Sequence, residues 1–257
     1  MKFKHIFILG PNNSGTTLLM RIMKTNKLVV GMKWEGKLAA KKFEPHPPNF
    51  GMKSLWTEKK EFASPSQYNW PEIKKCWIKE WKKDKKYNNN KNNDMFLLEK
   101  TPMHMLLVDQ LCKEFDKPFF IAMMRNPYAV AEGILRKTTH TDVKRIATHL
   151  AKCLTLQMSN IEKLGNDCVH FTYEDFTNTP LIKELFSKSK YPQLADVDFD
   201  KEYTVQSYKG EHSVNKITNY NDVQIKNISN EDLKIINGVY KNYKKEFEFF
   251  NYEIIKD

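Results

Sequence analysis

The sequence predicts an α/β fold with a mainly parallel central sheet flanked by helices, and three observations support that prediction. Four short apolar runs, HIFIL (residues 5–9), MFLLE (95–99), FFIAMM (119–124) and CVHFT (168–172), have the length and composition of buried strands. Segments of helical period separate them, and strands that alternate with helices are joined as parallel crossovers. The first run also leads directly into a glycine-containing polar turn followed by a helical pattern. A length of 257 residues suits a single domain spanning 1–257, because a sheet of this kind can bury a sizeable core within that length.

After His5–Leu9, the residues Leu18, Leu19, Ile22 and Met23 recur at helical spacing. The strand–helix alternation is then interrupted by an insertion over about residues 36–94, which carries EPHPPNFG and SQYNWPEI. Within it Pro71 suits a first helical turn, and Ile73, Trp77 and Trp81 fall on one face. That segment predicts a helix packed on the core, with a wall of the substrate site as the alternative. The tract KKYNNNKNND over 85–94 is expected as a mobile surface loop. A long helix from near Thr141 places Val143, Ile146, Ala147, Leu150, Leu154, Met158 and Ile161 on one face and stops at Gly165. A last helix, capped by Ser229 with Asp232 three residues on, is expected to bury Leu233, Ile236, Tyr240, Tyr243 and Phe247.

The formal charge of +11 suits an anionic partner such as nucleic acid, a membrane surface, an acidic polysaccharide or a phosphorylated cofactor. Only Arg21, Arg125, Arg136 and Arg145 are arginines, and the Lys-rich stretches are also Asn-rich, so much of the charge reads as solvated surface. Cys76, Cys112, Cys153 and Cys168 form no CxxC pair and no metal-ligand spacing. No metal site is expected, and a reducing, cytoplasmic compartment fits. The first apolar run is too short for a signal segment or a membrane span, and no anchor is expected elsewhere.

The segment GPNNSGTTLL, residues 10–19, carries the strongest local chemistry. Gly10 and Gly15 have the spacing of a nucleotide-triphosphate loop, but that motif needs a lysine directly after the second glycine, and here Thr16 and Thr17 follow. Backbone N–H groups and a helix N-terminus can still cradle an anion. Without the lysine that reaches β- and γ-phosphates, the loop suits a donor with one phosphate joined to a sulfate. A plain strand-to-helix turn is the alternative.

RNPYAVAEGI follows FFIAMM directly, starting at Arg125. Together with the SGTT loop it resembles the sulfotransferase family, whose members pair an SGTT phosphosulfate loop with an arginine-led segment that holds a 3′-phosphate. EKTPMH (99–104), YED (173–175) and YKGEHSV (208–214) extend the resemblance over nearly the whole chain apart from the insertion. The GxxxSGTT form, with Glu35 downstream, looks closer to bacterial and tyrosylprotein-type members than to cytosolic small-molecule ones. The resemblance implies a P-loop NTPase-like sulfotransferase fold. It implies transfer of a sulfuryl group from 3′-phosphoadenosine 5′-phosphosulfate (PAPS) to a hydroxyl or amine acceptor, leaving 3′-phosphoadenosine 5′-phosphate (PAP), with no metal required. A protein tyrosine in an acidic segment, a carbohydrate or another acceptor would each fit. Two positions depart from the family pattern: Asn13 stands where Lys or Arg is usual, and Gly133 where a serine helps hold the 3′-phosphate.

On this resemblance Pro11, Asn12, Asn13, Ser14, Gly15, Thr16 and Thr17 surround the 5′-phosphate and sulfate. Arg125 and Gly133 belong to the 3′-phosphate site, and Lys209 and Gly210 to a late loop folding over the cofactor. Arg125 follows a predicted strand end, and its planar fork suits bidentate phosphate contact. Lys100 also ends a predicted strand, where such sheets place ligands, and is the candidate cation for the leaving oxygen. A base must take the acceptor proton. Glu35, in KWEGKL, is the first candidate and His104 the second. A surface Glu35 paired with Lys33 or Lys37, and a purely structural His104, are the alternatives. The YED segment is assigned only to the turn after its strand.

Two other function classes stay open. A P-loop kinase or NTPase needs a lysine after Gly15 and a Mg²⁺ carboxylate, and neither is evident. A basic nucleic-acid-binding module has only the charge in its favour, since no helix-turn-helix, zinc or RNA-binding signature appears, and no specific nucleic-acid partner is expected.

Overall fold

The computed structural model describes residues 3–45, 55–89, 94–137, 142–207, 210–214 and 217–256. The chain runs β1 (Phe3–Leu9), α1 (Thr16–Met23), β2 (Val29–Gly31), α2 (Gly36–Ala39), α3 (Trp70–Trp81), α4 (Lys85–Asn89), β3 (Met95–Lys100), α5 (Val108–Glu114), β4 (Phe119–Met124) and α6 (Pro127–Lys137). It continues through α7 (Val143–Leu164), β5 (Cys168–Thr172), α8 (Tyr173–Phe176), α9 (Thr179–Ser187), β6 (Tyr203–Ser207), β7 (Gly210–Val214), α10 (Asn221–Ile225), α11 (Asn230–Tyr240) and α12 (Lys244–Phe249).

Five strands form one sheet in the order β2-β3-β1-β4-β5, with every pairing parallel. The sheet is apolar on both faces. Ile6 and Ile8 join Phe96, Leu98, Phe119, Ile121 and Met123 in one core, beneath α1 and α9. Phe7 and Leu9 join Leu97, Phe120, Ala122 and Met124 in the other, beneath α3, α5, α6, α7 and α11. Burial on both faces is why these strands read as unbroken apolar runs. The sequence does not announce β2, only three residues long, or the antiparallel β6–β7 hairpin.

The long helix is α7, with Asp142 accepting from Arg145 N at its start and Gly165, at φ 49, ending it. Among the described residues no strand lies between Gly31 and Met95, as the interruption predicts. That segment nevertheless builds core: Ile73, Trp77 and Trp81 of α3 are buried, and Trp77 packs edge-on to Trp70 and Trp81 and stacked on Phe115.

Two expectations need correction. The loop expected over 85–94 is helical at Lys85–Asn89, because Asp84 receives the N–H groups of Lys86 and Tyr87 and the Tyr87 ring stacks on Phe3; residues 90–93 lie outside the described chain. The last helix is two helices, α11 and α12, capped at Ser229 as expected and broken near Tyr243. The break turns Phe247 back onto Tyr128 and Tyr240, a packing that one straight helix does not give. Among the described residues, no helix is long and apolar enough to cross a membrane.

The strand registers align the carboxyl ends that matter. Ile8 pairs with Lys100, Leu9 with Ala122 and Met124 with Thr172, so Gly10, Thr101, Arg125 and Tyr173 emerge along one edge. The chain winds out from β1 to β2 on one side and to β4 and β5 on the other. That reversal opens a crevice over the end of β1.

Candidate active site

The loop after β1 supplies one side of the crevice. Pro11 leads into a turn at Asn12 and Asn13, and Asn13 (φ 63) and Gly15 (φ 86) both adopt left-handed backbone. Asn is among the few non-glycine residues that tolerate this region. Gly15 is required twice over, since a Cβ there would also fall 2.7 Å from a Tyr173 ring carbon. Gly15 caps α1 without any side-chain acceptor, so the N–H groups of the first turn, from Thr16 on, are left for whatever lies ahead of the helix. Ser14 Oγ and Asn13 Nδ2 are buried without a partner, a costly state that marks room for a polar ligand group. Thr16 is buried and Thr17 exposed at the helix start.

Arg125 lies behind this loop and is almost wholly buried. Its Nη1 donates to Asn13 O at 3.0 Å, Nε to Asn221 Oδ1 at 2.8 Å and Nη2 to Gln224 Oε1 at 2.5 Å. The guanidinium lies 4.3 Å from the centroid of the Tyr173 ring, a cation–π contact. Glu174 completes the support by accepting from Asn126 N, Asn221 Nδ2 and Tyr252 OH. Gly133, on α6, faces the same group: an added Cβ would sit 3.4 Å from Asn13 Nδ2 and 3.5 Å from Gln224 Nε2, ordinary contact distances. The two positions that depart from the family pattern are therefore neighbours in space. Gly210 opens β7 opposite Ser207, while Lys209 lies outside the described residues.

The other side of the crevice is a network of charges. Lys100 Nζ meets Glu35 Oε1 at 2.5 Å, and Lys37 Nζ meets Glu35 Oε2 at 2.7 Å. Both lysines are buried, while the Glu35 side chain keeps 23% of its surface exposed. Burial pushes the Glu35 carboxyl up, but Lys100 and Lys37 outweigh it and hold the group below the usual carboxylate range. Lys33 takes no part and lies over the Trp34 ring. Glu99, one residue before Lys100, receives Gly36 N at 2.9 Å and Thr101 Oγ1 at 2.5 Å on one oxygen, and meets His104 Nδ1 at 2.8 Å on the other. Burial pulls the His104 imidazole down, and Glu99 more than offsets it, leaving a raised pKa. Burial pushes the Glu44 carboxyl up to about 7, and neither of its oxygens has a partner.

The crevice thus brings together Asn13, Ser14, Gly15, Thr16, Arg125 and Gly133 on one side and Glu35 and Lys100 on the other, with His104 buried behind them against Glu99. Around Arg125, sequence reasoning missed four contributors. Tyr173 and Glu174 belong to the YED segment, which does cap α8 through Thr172 and Asp175 but also underpins Arg125. Asn221 and Gln224 of α10 sit in a stretch with no recognisable motif.

The profile of the sulfotransferase family matches residues 5–183. The chain belongs to the sulfotransferase family. Among curated proteins none matches. Three solved structures are similar over nearly their full lengths. The sulfotransferase domain from the curacin biosynthetic pathway is 14% identical, with TM-score 0.56, covering 99% of this chain and 100% of that one. A sulfotransferase from Alicyclobacillus acidocaldarius is 9% identical, with TM-score 0.55 and coverage of 97% and 96%. The sulfotransferase domain of the Synechococcus PCC 7002 olefin synthase is 17% identical, with TM-score 0.51 and coverage of 99% and 98%. At these identities the likeness is one of fold, and it agrees with the parallel five-stranded sheet. Membership of this family displaces the kinase and nucleic-acid-binding readings. The matched region ends before α10, so Asn221 and Gln224 support the site from beyond it.

Proposed function

We propose that the protein transfers the sulfuryl group of PAPS to a hydroxyl or amine acceptor. One observation carries this reading: a glycine loop that lacks the triphosphate-reaching lysine lies one strand away from a buried lysine paired with a partly exposed carboxylate, since Ile8 of β1 and Lys100 of β3 are in register. Such a pair offers a proton acceptor and a cation next to an anion cradle.

In this reading the first-turn N–H groups of α1, with Ser14, Thr16 and Thr17, hold the 5′-phosphosulfate, and Arg125 backs the 3′-phosphate side. Glu35 takes the acceptor proton as the new S–O bond, or S–N bond for an amine, forms. Lys100 neutralises the phosphate oxygen released when the old S–O bond breaks. The two roles are coupled. While Lys100 and Lys37 both pair with Glu35 the carboxylate is a weak base, and transferring the Lys100 ammonium to the leaving oxygen removes the larger of the two cationic effects and raises its basicity. Asn13 carries no charge, so Lys100 is the cation this chemistry depends on. Trp34 and Leu38, 60% and 44% exposed on either side of Glu35, give the acceptor an apolar rim to enter past.

Ligand-dependent melting tests the donor. PAP raises the melting temperature in proportion to RT ln(1 + [L]/Kd), and more than ATP with Mg²⁺ does. The reverse ranking overturns the reading. Labelling of a fractionated extract with [³⁵S]PAPS then identifies the acceptor.

A further inference from the structure

We propose that Glu99 sets the aim of Glu35 by clamping the backbone N–H of Gly36, with His104 holding that clamp from behind, so that Glu99 and His104 are positioning residues. The inference rests on the sulfuryl-transfer reading for what Glu35 does, but not for the clamp itself.

Gly36 directly follows Glu35, and its peptide groups are gripped on both sides. Its N–H donates to Glu99 Oε1 at 2.9 Å, and its carbonyl accepts from Trp77 Nε1 at 3.0 Å. A Cβ on Gly36 would lie 2.7 Å from Glu99 Oε1 and 2.8 Å from the Trp77 ring, so only glycine lets the clamp close. Lys100 Nζ meanwhile meets the Glu35 carboxylate. Consecutive residues of β3 therefore hold consecutive residues of the loop: Glu99 fixes the backbone of Gly36 and Lys100 the side chain of Glu35.

Glu99 is itself held by three donors, Gly36 N, Thr101 Oγ1 and His104 Nδ1, and is buried. Three of its roughly four acceptor sites are therefore filled, and the buried carboxylate serves as an anchor for its donors. His104 is 1% exposed, and its second nitrogen, Nε2, is buried without a partner. An imidazole enclosed in this way acts through Glu99 and does not reach an incoming acceptor. The inserted segment also gains a role, because α3 both packs the core and supplies Trp77 to the clamp.

The test has one arm that needs no activity. Selective ¹⁵N-glycine labelling gives at most nine backbone amide signals. The Gly36 amide is expected to exchange slowly with solvent and to move on Glu99→Ala. A Gly36 amide that exchanges like an exposed loop glycine in the wild-type protein overturns the clamp, whether or not the variant folds. The second arm follows turnover of PAPS to PAP. Glu99→Ala and His104→Ala lower it by about 10- to 100-fold, the scale of a misaimed catalytic group, with PAP affinity kept within about threefold. His104→Asn restores a donor toward Glu99 and recovers most of the loss, with no change in the pH profile. A His104→Asn variant as impaired as His104→Ala makes His104 the base and overturns its positioning role. If wild-type protein neither binds PAP nor consumes PAPS, the sulfuryl-transfer reading fails while the glycine amide still decides the clamp.

Discussion

On the loop side of the crevice the working polar groups are mostly backbone; on the carboxylate side they are side chains. Between Gly10 and Thr17 one short stretch sets the shape, through two left-handed residues and an uncapped helix start. Glu35, Lys37, Glu99, Lys100 and His104 come from two stretches that only the sheet brings together, and they form a network of buried and half-buried charges. A site made of backbone should fail by losing affinity when its geometry is disturbed. One made of charges should fail in turnover and in its response to pH.

The largest expected effect lies on the carboxylate side. Glu35→Gln lowers turnover by roughly 10² to 10⁴ while PAP affinity stays near wild type. The amide keeps the shape but accepts no proton. Single-turnover kinetics with an identified acceptor check this, and a variant within a few-fold of wild type removes Glu35 as the base.

Next comes the loop side, where the order of effects reverses. Arg125→Ala weakens PAP binding by some 30- to 150-fold, the worth of one charge-assisted contact. It also lowers stability, because Asn221 Oδ1, Gln224 Oε1 and Asn13 O each lose a donor in a buried setting. Arg125→Lys recovers little, since one ammonium cannot serve three acceptors in a planar fork. Calorimetry with PAP and a melting curve separate the two losses. Unchanged affinity in a folded Arg125→Ala protein takes the residue out of the cofactor site.

This contrast also explains what could be read from the sequence. The SGTT loop, Arg125 and Lys100 are legible because each follows an apolar run at a strand end, where local order fixes direction. Glu35 is legible only by resemblance. The hold on its neighbour Gly36 is not legible, since Glu99 reaches Gly36 across 63 residues and nothing local marks the contact. Asn221 and Gln224 are harder still: they meet Arg125 across 96 and 99 residues, from a five-residue helix whose polar residues show no pattern. Strands β1, β3, β4 and β5 were foreseeable from apolar runs, whereas three-residue β2 gains its place from pairing with β3. The Asn-rich tract misleads in the opposite direction, because composition cannot show that Tyr87 finds Phe3.

A smaller effect concerns pH and starts on the carboxylate side, where Glu44 lies in the field of His104, Glu99 and Lys37. Glu44 has its pKa raised from 4.5 to about 7, chiefly by burial, so its contribution to stability is present below 4.5 and is lost as pH rises through about 7. The raised His104 acts in the same direction, its contribution being lost as pH climbs through the folded value. His5 and His149, lowered by burial to about 4 and about 3, act oppositely and destabilise the fold as pH drops below 6.5. Glu44→Gln should therefore flatten the alkaline limb, with a gain at pH 8 of about 3 kcal/mol at most, and leave the acid limb unchanged. Denaturant melts at pH 5 and pH 8 check this, and an equal shift at both values shows that Glu44 does not titrate in this range.

The smallest effect is expected at Gly133, where a substitution should help. The position is helical and carries no positive φ, and a Cβ there meets Asn13 Nδ2 at 3.4 Å and Gln224 Nε2 at 3.5 Å without crowding. Serine in a helix interior is favoured over glycine by a few tenths of a kcal/mol, and its hydroxyl can accept from the partnerless Asn13 amide. Gly133→Ser should thus raise stability by about 0.5 to 1 kcal/mol. Because Asn13 belongs to the loop side, PAP affinity should shift by a few-fold while single-turnover chemistry stays the same. The double variant Asn13→Lys with Gly133→Ser tests the coupling, and its effect on PAP affinity should differ from the sum of the single effects. Strict additivity would make the two departures independent neighbours, and a loss of stability in Gly133→Ser would mean that the space beside Asn13 is closed to a side chain.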